Sequence, residues 1–178
     1  YNKQKRTFEA LSELIQETAD EIRYLESVSN SLDIALNEAD LGQIKEELTA
    51  SGYVRRKFTK KKVKLTNKPM HYISSDGYDI YVGKNNIQND ELTFSFANGG
   101  DWWFHAKGAP GSHVIVKTNG DELPDRTFEE AGRLAAYYSK NHGSDKVEID
   151  YIEKKHVKKP NGAKPGFVVY YTNYSLVI

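Results

Sequence analysis

Cysteine is absent from the 178 residues, so the chain can build neither a disulfide framework nor a thiolate metal site, which leans towards a reducing compartment. Long apolar runs are missing as well. Nothing approaches the roughly 20 consecutive apolar residues a membrane span needs, and mean hydropathy is −0.69. No Gly or Pro occurs before Gly42, which leaves the first forty residues without a helix breaker. Net charge is missing only as a sum. Residues 1–50 carry 5 Lys/Arg against 11 Asp/Glu, and residues 51–178 carry 20 against 14. An acidic body therefore precedes a basic one, the pattern of a polyanion-binding domain carried on a solvated arm. The length suits one ordinary domain plus an appendage. Because the chain begins at Tyr1, it reads as a fragment, and the lack of a signal peptide says nothing about its parent.

What is present divides at about residue 51. From Phe8 to about Ala39, apolar residues recur at three- and four-residue steps (Leu11, Leu14, Ile15, Ile22, Leu25, Val28, Leu32). That spacing predicts a long amphipathic helix with a nearly heptad seam, interrupted at Thr18. One helix cannot bury its own stripe. Either a mate helix is missing from the fragment or two copies pair through the arm into a dimer. Asp40 is expected to cap a second helix, Leu41–Ala50, ending at Gly52.

Residues 55–68 hold eight Lys/Arg (Arg55, Arg56, Lys57, Lys60, Lys61, Lys62, Lys64, Lys68) and no acid. A segment this charged belongs on the surface as a strand or linker, and contact with phosphates accounts for it. A hairpin follows, Met70–Ser74 and Tyr78–Gly83, turning at Ser75-Asp76-Gly77. Gly83-Lys84-Asn85-Asn86 reads as an amide-rich loop. Asn89-Asp90 starts a short helix through Leu92 and Phe96, although Leu92, Phe94 and Phe96 also fit a strand.

The chain's densest chemistry lies between Asp101 and Val116, where both tryptophans, Trp102 and Trp103, stand beside His105, Ser112 and His113. Strands at 102–105 and 113–116 would return beside each other through Lys107–Ser112. Alternation sends Trp102 and Phe104 to one face and Trp103 and His105 to the other. One face then feeds a core while the other meets a partner. Large aromatics are mostly buried, so each tryptophan reads as core, with a base-stacking platform as the alternative. Downstream, Asn119–Arg126 is a loop. Thr127 and Glu130 form a capping-box pattern for a helix to about Asn141, and Val147–Ile152 alternates as a strand. Lys154–Gly166 is a second basic loop, with no acid from Lys154 to the end. Strands Phe167–Thr172 and Tyr174–Ile178 close the domain.

Catalysis is not supported by these residues. Asp101, His105 and His113 have weakly specific spacings for a metal or an acid–base pair. Ser112 and His113 are adjacent on a strand and point apart. Gly162-Ala163-Lys164-Pro165-Gly166 lacks the Ser/Thr of a phosphate-binding loop. No catalytic residue, metal site or cofactor is expected.

The succession Val82-Gly83-Lys84-Asn85-Asn86, Asn89-Asp90, Asp101-Trp102-Trp103-Phe104-His105 and Pro110-Gly111-Ser112-His113-Val114-Ile115 resembles the NFACT-R domain. So do Glu130-Ala131, Leu134 to Lys140, and Val157-Lys158-Lys159-Pro160 through Gly166. That domain closes the RqcH family of ribosome quality-control factors, whose Gram-positive members are also called fibronectin-binding protein A or streptococcal adhesins. The resemblance covers roughly residues 52–178, and residues 1–50 are similar to the returning arm of the family's coiled coil. Lys84 stands where the family often has Arg, a change that loses bidentate geometry.

The elements read above give an α+β domain, a mainly antiparallel sheet with one or two packed helices, preceded by a coiled-coil-like arm (residues 1–51, then 52–178), and the resemblance adds a function. It implies an RNA-binding module that meets the rRNA of a large ribosomal subunit and tRNA in the cytoplasm and supports alanine tailing of stalled chains. The rival it carries is a cell-surface adhesin that binds host fibronectin and is exported without a conventional signal. The residues assigned to RNA or partner contact are Arg55, Arg56, Lys57, Lys60, Lys61, Lys62, Lys84, Asn85, Asn86, Asp101, Trp102, Trp103, His105, Ser112, His113, Lys158, Lys159 and Lys164. The expectation behind them is that the two basic segments converge into one cradle for a phosphate chain.

Overall fold

The computed structural model describes residues 2–55 and 67–178. Arg56, Lys57, Lys60, Lys61, Lys62 and Lys64 of the first basic tract lie outside the described residues. The expected α+β architecture is present. Helix α1 (Asn2–Ile34) extends over 33 residues, about 50 Å at 1.5 Å per residue. It stops short of Ala39 because Asn37 opens α2 (Glu38–Ala50), its side chain accepting from the Asp40 amide. Asp40 is therefore not the cap. It sits inside the first turn of α2 and accepts from the Leu36 amide at 2.8 Å, closing the corner.

Six strands form one antiparallel sheet: β1 (Met70–Ile73), β2 (Asp79–Val82), β3 (Trp102–Ala106), β4 (Val114–Val116), β5 (Glu148–Glu153) and β6 (Tyr174–Val177), in the order β1-β2-β4-β3-β5-β6. The hairpin β1–β2 forms as its alternation requires, and Gly77, at φ +88°, supplies the left-handed turn residue. Strands β3 and β4 lie side by side, with Trp103 opposite Ile115. Helix α3 (Asn86–Glu91) runs into a π-helical turn, Leu92–Phe96, so this stretch is helical rather than a strand; it starts ahead of Asn89 because Asn85 caps it.

Helix α4 (Asp125–Tyr137) covers the sheet face bearing Ile80, Val82, Phe104, Val114, Val116 and Ile149. The expected capping box is not made. Thr127 Oγ1 donates instead to Asp76 Oδ2 at 2.8 Å, and Glu130 accepts from the Ser75 amide at 2.8 Å. Both residues thus tie α4 to the hairpin turn, while Pro124 precedes the helix. The other face carries Trp103, Ile115 and Ile152, packed under Leu92, Ala97 and Val157. Residues 167–172 are not a strand; Val169 makes a single bridge with Lys158. Alternate side chains face inwards all the same, while Val169 and Tyr171 are exposed. Val168 and Tyr170 close over Trp103, and Phe167 reaches the arm at Tyr24, Val28 and Ile44. Much of the apolar stripe of α1 is open among the described residues: Phe8, Leu11, Leu14, Ile15 and Ile22 are 53–71% exposed.

Candidate nucleic-acid interface

Gly83-Lys84-Asn85-Asn86 forms the joint between arm and sheet. Lys84 Nζ lies 2.6 Å from Asp40 Oδ1 and 2.7 Å from Asn67 Oδ1, and both charged groups are almost fully buried. Asn85 Nδ2 donates to Gln43 Oε1 at 2.9 Å, and Gln88 Nε2 donates to the same oxygen at 2.9 Å. Asn86 Nδ2 donates to Ser27 Oγ at 2.8 Å and to Glu47 Oε1 at 2.9 Å, so one side chain fastens both arm helices. The motif is tight because glycines permit close approach: a Cβ on Gly166, at φ +82°, would fall 2.7 Å from Asn86 Oδ1. Burial alone would raise the Asp40 carboxyl, but hydrogen bonds from Lys84, Asn67 and the Leu36 amide outweigh it and hold the group below its ordinary value. Glu47 goes the other way. Burial raises its carboxyl despite the Asn86 bond, and its second oxygen has no hydrogen-bond partner among the described residues.

The aromatic–histidine centre is interior. Trp103 and Phe104 are fully buried, and Ser112, His113 and Asp101 are almost so. Ser112 Oγ donates to the Gly83 carbonyl, and the His113 amide donates to Asn89 Oδ1 at 2.9 Å. His113 Nδ1 meets Thr93 Oγ1 at 2.8 Å. His105 stacks on Trp103, rings 5.6 Å apart. Burial pushes His105 down to about 4, against opposing contributions from the Gly111 backbone and Asp150. It also lowers His113 well below its ordinary value, and neighbouring His105 adds to this. Both imidazoles are neutral at neutral pH. Asp101 clasps the β3–β4 end, accepting from the Asn98 amide at 2.7 Å and pairing with Lys117. Trp102 is half-buried between Phe128, Tyr151 and Tyr174.

Lys84, Asn85, Asn86, Asp101, Trp103, Ser112 and His113 therefore have almost no surface to offer a partner. The reason is packing on both faces of the sheet. Sequence alternation predicted two faces, and it did not reveal that α3 and residues 157–170 would cover the second.

The second basic loop is surface, and it is pinned. Asp90 pairs with Lys159 and accepts from the Gly166 amide at 2.9 Å, so one carboxylate holds the middle and the far end of the loop. Lys164 Nζ stands 3.9 Å from the Tyr24 ring centroid and 5.4 Å from that of Tyr53. Arg55 and Lys158 are exposed. Tyr53, which Lys164 meets, lies two residues before Arg55, where the first basic tract begins. Glu17, Asp20 and Glu21 line the open groove of about 1090 Å³ between this loop and α1, giving it an acidic far wall. Gln43, Glu47, Asn67 and Gln88 were not anticipated as joint residues. Gln43, Glu47 and Gln88 stand at helical positions and Asn67 outside any helix, and no local pattern marks them.

Comparison with known proteins agrees with this geometry. The profile of the NFACT protein RNA binding domain matches residues 68–171, and that of the NFACT N-terminal and middle domains matches residues 1–67. The chain is 47% identical over 171 residues to the Rqc2 homolog RqcH of Streptococcus suis, covering 96% of this chain and 30% of that protein. It is 40% identical over 181 residues to the Rqc2 homolog RqcH of Bacillus subtilis, covering 100% and 31%. The chain thus spans about 30% of the length of these curated relatives. The solved C-terminal structure of the fibronectin/fibrinogen-binding protein from Streptococcus suis superposes with a TM-score of 0.91 at 44% identity, over 100% of this chain and 71% of that one.

Proposed function

The chain belongs to the NFACT family of ribosome quality-control proteins and contains its RNA-binding domain, and on that premise we propose that it is a binding module rather than an enzyme. It grips rRNA and tRNA on a large ribosomal subunit carrying a stalled chain, in the cytoplasm, and so supports alanine tailing by the longer protein. The observation that carries this reading is the RNA-binding profile, which spans five of the six strands and both basic-loop anchors. Charge supports it, since the exposed lysines of residues 154–164 stand in a C-terminal stretch of 25 residues without an acid. A phosphate chain lying there releases condensed counterions.

A second reading rests on the solved relative's name, fibronectin/fibrinogen-binding protein. Salt separates the two. RNA affinity of the 178-residue chain, titrated with a labelled single strand, should fall with a log–log slope near −0.7 per neutralised phosphate. Reversing Lys155 and Lys158 to Glu should weaken binding at least tenfold and flatten the slope by about 1.4. Lys159 is left intact because its pair with Asp90 pins the loop, whereas Lys155 pairs only with its near neighbour Glu153. Unchanged affinity and slope would remove this loop from the interface. Saturable binding to fibronectin that barely responds to salt would favour the second reading.

A further inference from the structure

The hairpin carries an aromatic row that the rest of the fold leaves open. His71 and Tyr81 are register partners across β1 and β2, and their rings stack with centroids 4.6 Å apart and planes 14° from parallel. Phe96, the last residue of the π-helical turn, meets Tyr81 edge-on at 4.7 Å. His71 Nε2 is 2.6 Å from Asp79 Oδ1, which fixes the imidazole plane. Trp103 and Phe104, by contrast, are fully buried within their own ring clusters. Here 45% of the His71 side chain is open to solvent, and Phe96 is 43% exposed. Among the described residues strand β1 is the sheet edge and no further ring covers the outer side of His71.

We infer that His71, Tyr81 and Phe96 form a stacking site for an unpaired base of single-stranded RNA, separate from the Lys154–Lys164 loop. An added ring extends the Tyr81–His71 stack outwards, in the place a further strand would take. Stacking of this kind tolerates any base, since every base has a π-face. Charge favours this occupant. Lys68 is exposed two residues before β1, and the stretch from Arg55 to Lys68, eight cations without an acid, runs in sequence into that strand. Lys117 adds an ammonium 5.0 Å from the Phe96 centroid, itself paired with Asp101. Of the nearby acids, Asp79 is engaged by His71, and Glu91 lines the small hollow between Pro69 and Phe96. An exposed row of rings on a sheet edge buries little area and contributes little to stability, whereas as a base platform it converts electrostatic capture into placement.

The inference rests on the RNA-binding reading, and the test separates the two. The 178-residue chain and its His71→Ala/Phe96→Ala and His71→Trp variants are titrated against a fluorescent single-stranded RNA and a fully paired RNA duplex of the same sequence. The double Ala variant should lose about tenfold or more on the single strand, with its salt slope kept and its duplex affinity unchanged. His71→Trp should bind the single strand at least as well as the parent. A double variant that folds like the parent by circular dichroism and binds the single strand equally well overturns the stacking site. So does an equal loss on both RNAs. A parent chain that binds neither RNA overturns the RNA-binding reading itself.

Discussion

The ammonium of Lys84 lies 2.6 Å from the carboxylate of Asp40, both almost wholly out of solvent, where α2 meets the loop ahead of α3. This pair, with Asn67 bonded to both partners, fixes the angle at which the arm leaves the sheet domain. Removing one partner leaves a buried charge unpaired, which typically costs about 3–5 kcal/mol. Lys84→Met should therefore destabilise the chain by that order in urea unfolding, and protease should cut between the arm and the sheet before the sheet itself opens. The double variant Lys84→Met/Asp40→Leu should recover much of the loss, because it removes both charges together. A single variant as stable as the parent would show the joint to be held by its amides alone.

Gly166 and Asn86 make a second test of that joint. An alanine at 166 meets two penalties: a left-handed backbone, costing about 1–2 kcal/mol, and a Cβ 2.7 Å from Asn86 Oδ1. Gly166→Ala should lower the thermal midpoint and raise the mobility of residues 159–166, read as faster amide exchange there than in α4. Gly143→Ala, where a Cβ has open space and φ is not left-handed, should leave both unchanged.

Burial of His105 and His113 makes stability depend on pH in a defined window. The folded chain holds both imidazoles neutral, with His105 lowered to about 4 and His113 lowered as well. Unfolding frees them to take up protons near their ordinary value of about 6.5. The unfolded state therefore binds more protons below that pH, so the stabilisation is complete above it and is lost as pH falls towards about 4. Asp40, whose carboxyl lies below its ordinary 3.8, adds its own loss only at lower pH. Urea midpoints should be flat from pH 8 to 7 and drop between pH 6.5 and 4. His105→Gln should flatten that drop, and a parent-like profile in this variant would assign the loss elsewhere.

How far the sequence led can be judged at Trp103 and at Asn86. Alternation puts Trp103 and Trp102 on opposite faces, as observed, and Leu92–Phe96 is helical, not the strand its spacing also fits. The α+β class and the family followed from ordered motifs between Val82 and Gly166. What stayed hidden was which face had a second cover. Trp103 is sealed by Leu92, Val157, Val168 and Tyr170, partners far from it in sequence, and no local period encodes them. Phe167–Thr172 had strand propensity, yet propensity does not supply a neighbouring strand to pair with. Asn86 looked like a ligand-binding amide for the same reason. Its partners Ser27 and Glu47 belong to the arm, and nothing nearby in the chain announces them.

The arm's exposed seam sets the last expectation. Tyr24, Val28 and Ile44 bind the second half of α1 to the domain, while Phe8, Leu11, Leu14, Ile15 and Ile22 remain more than half exposed. A bare stripe of this size in water seeks cover, and the rows Leu11/Ile15/Ile22 and Leu11/Leu14/Leu25 have the spacing of helix-on-helix packing. In the 178-residue chain the available cover is a second copy. Light-scattering mass should therefore rise with concentration in the parent. It should stay at one chain in a Leu11→Glu/Ile15→Glu/Ile22→Glu variant, without change in urea stability, because all three side chains are more than half exposed. Equal masses would mean that the stripe is left open until another helix of the longer protein covers it. A fall in stability would instead place these residues in contacts with the domain itself.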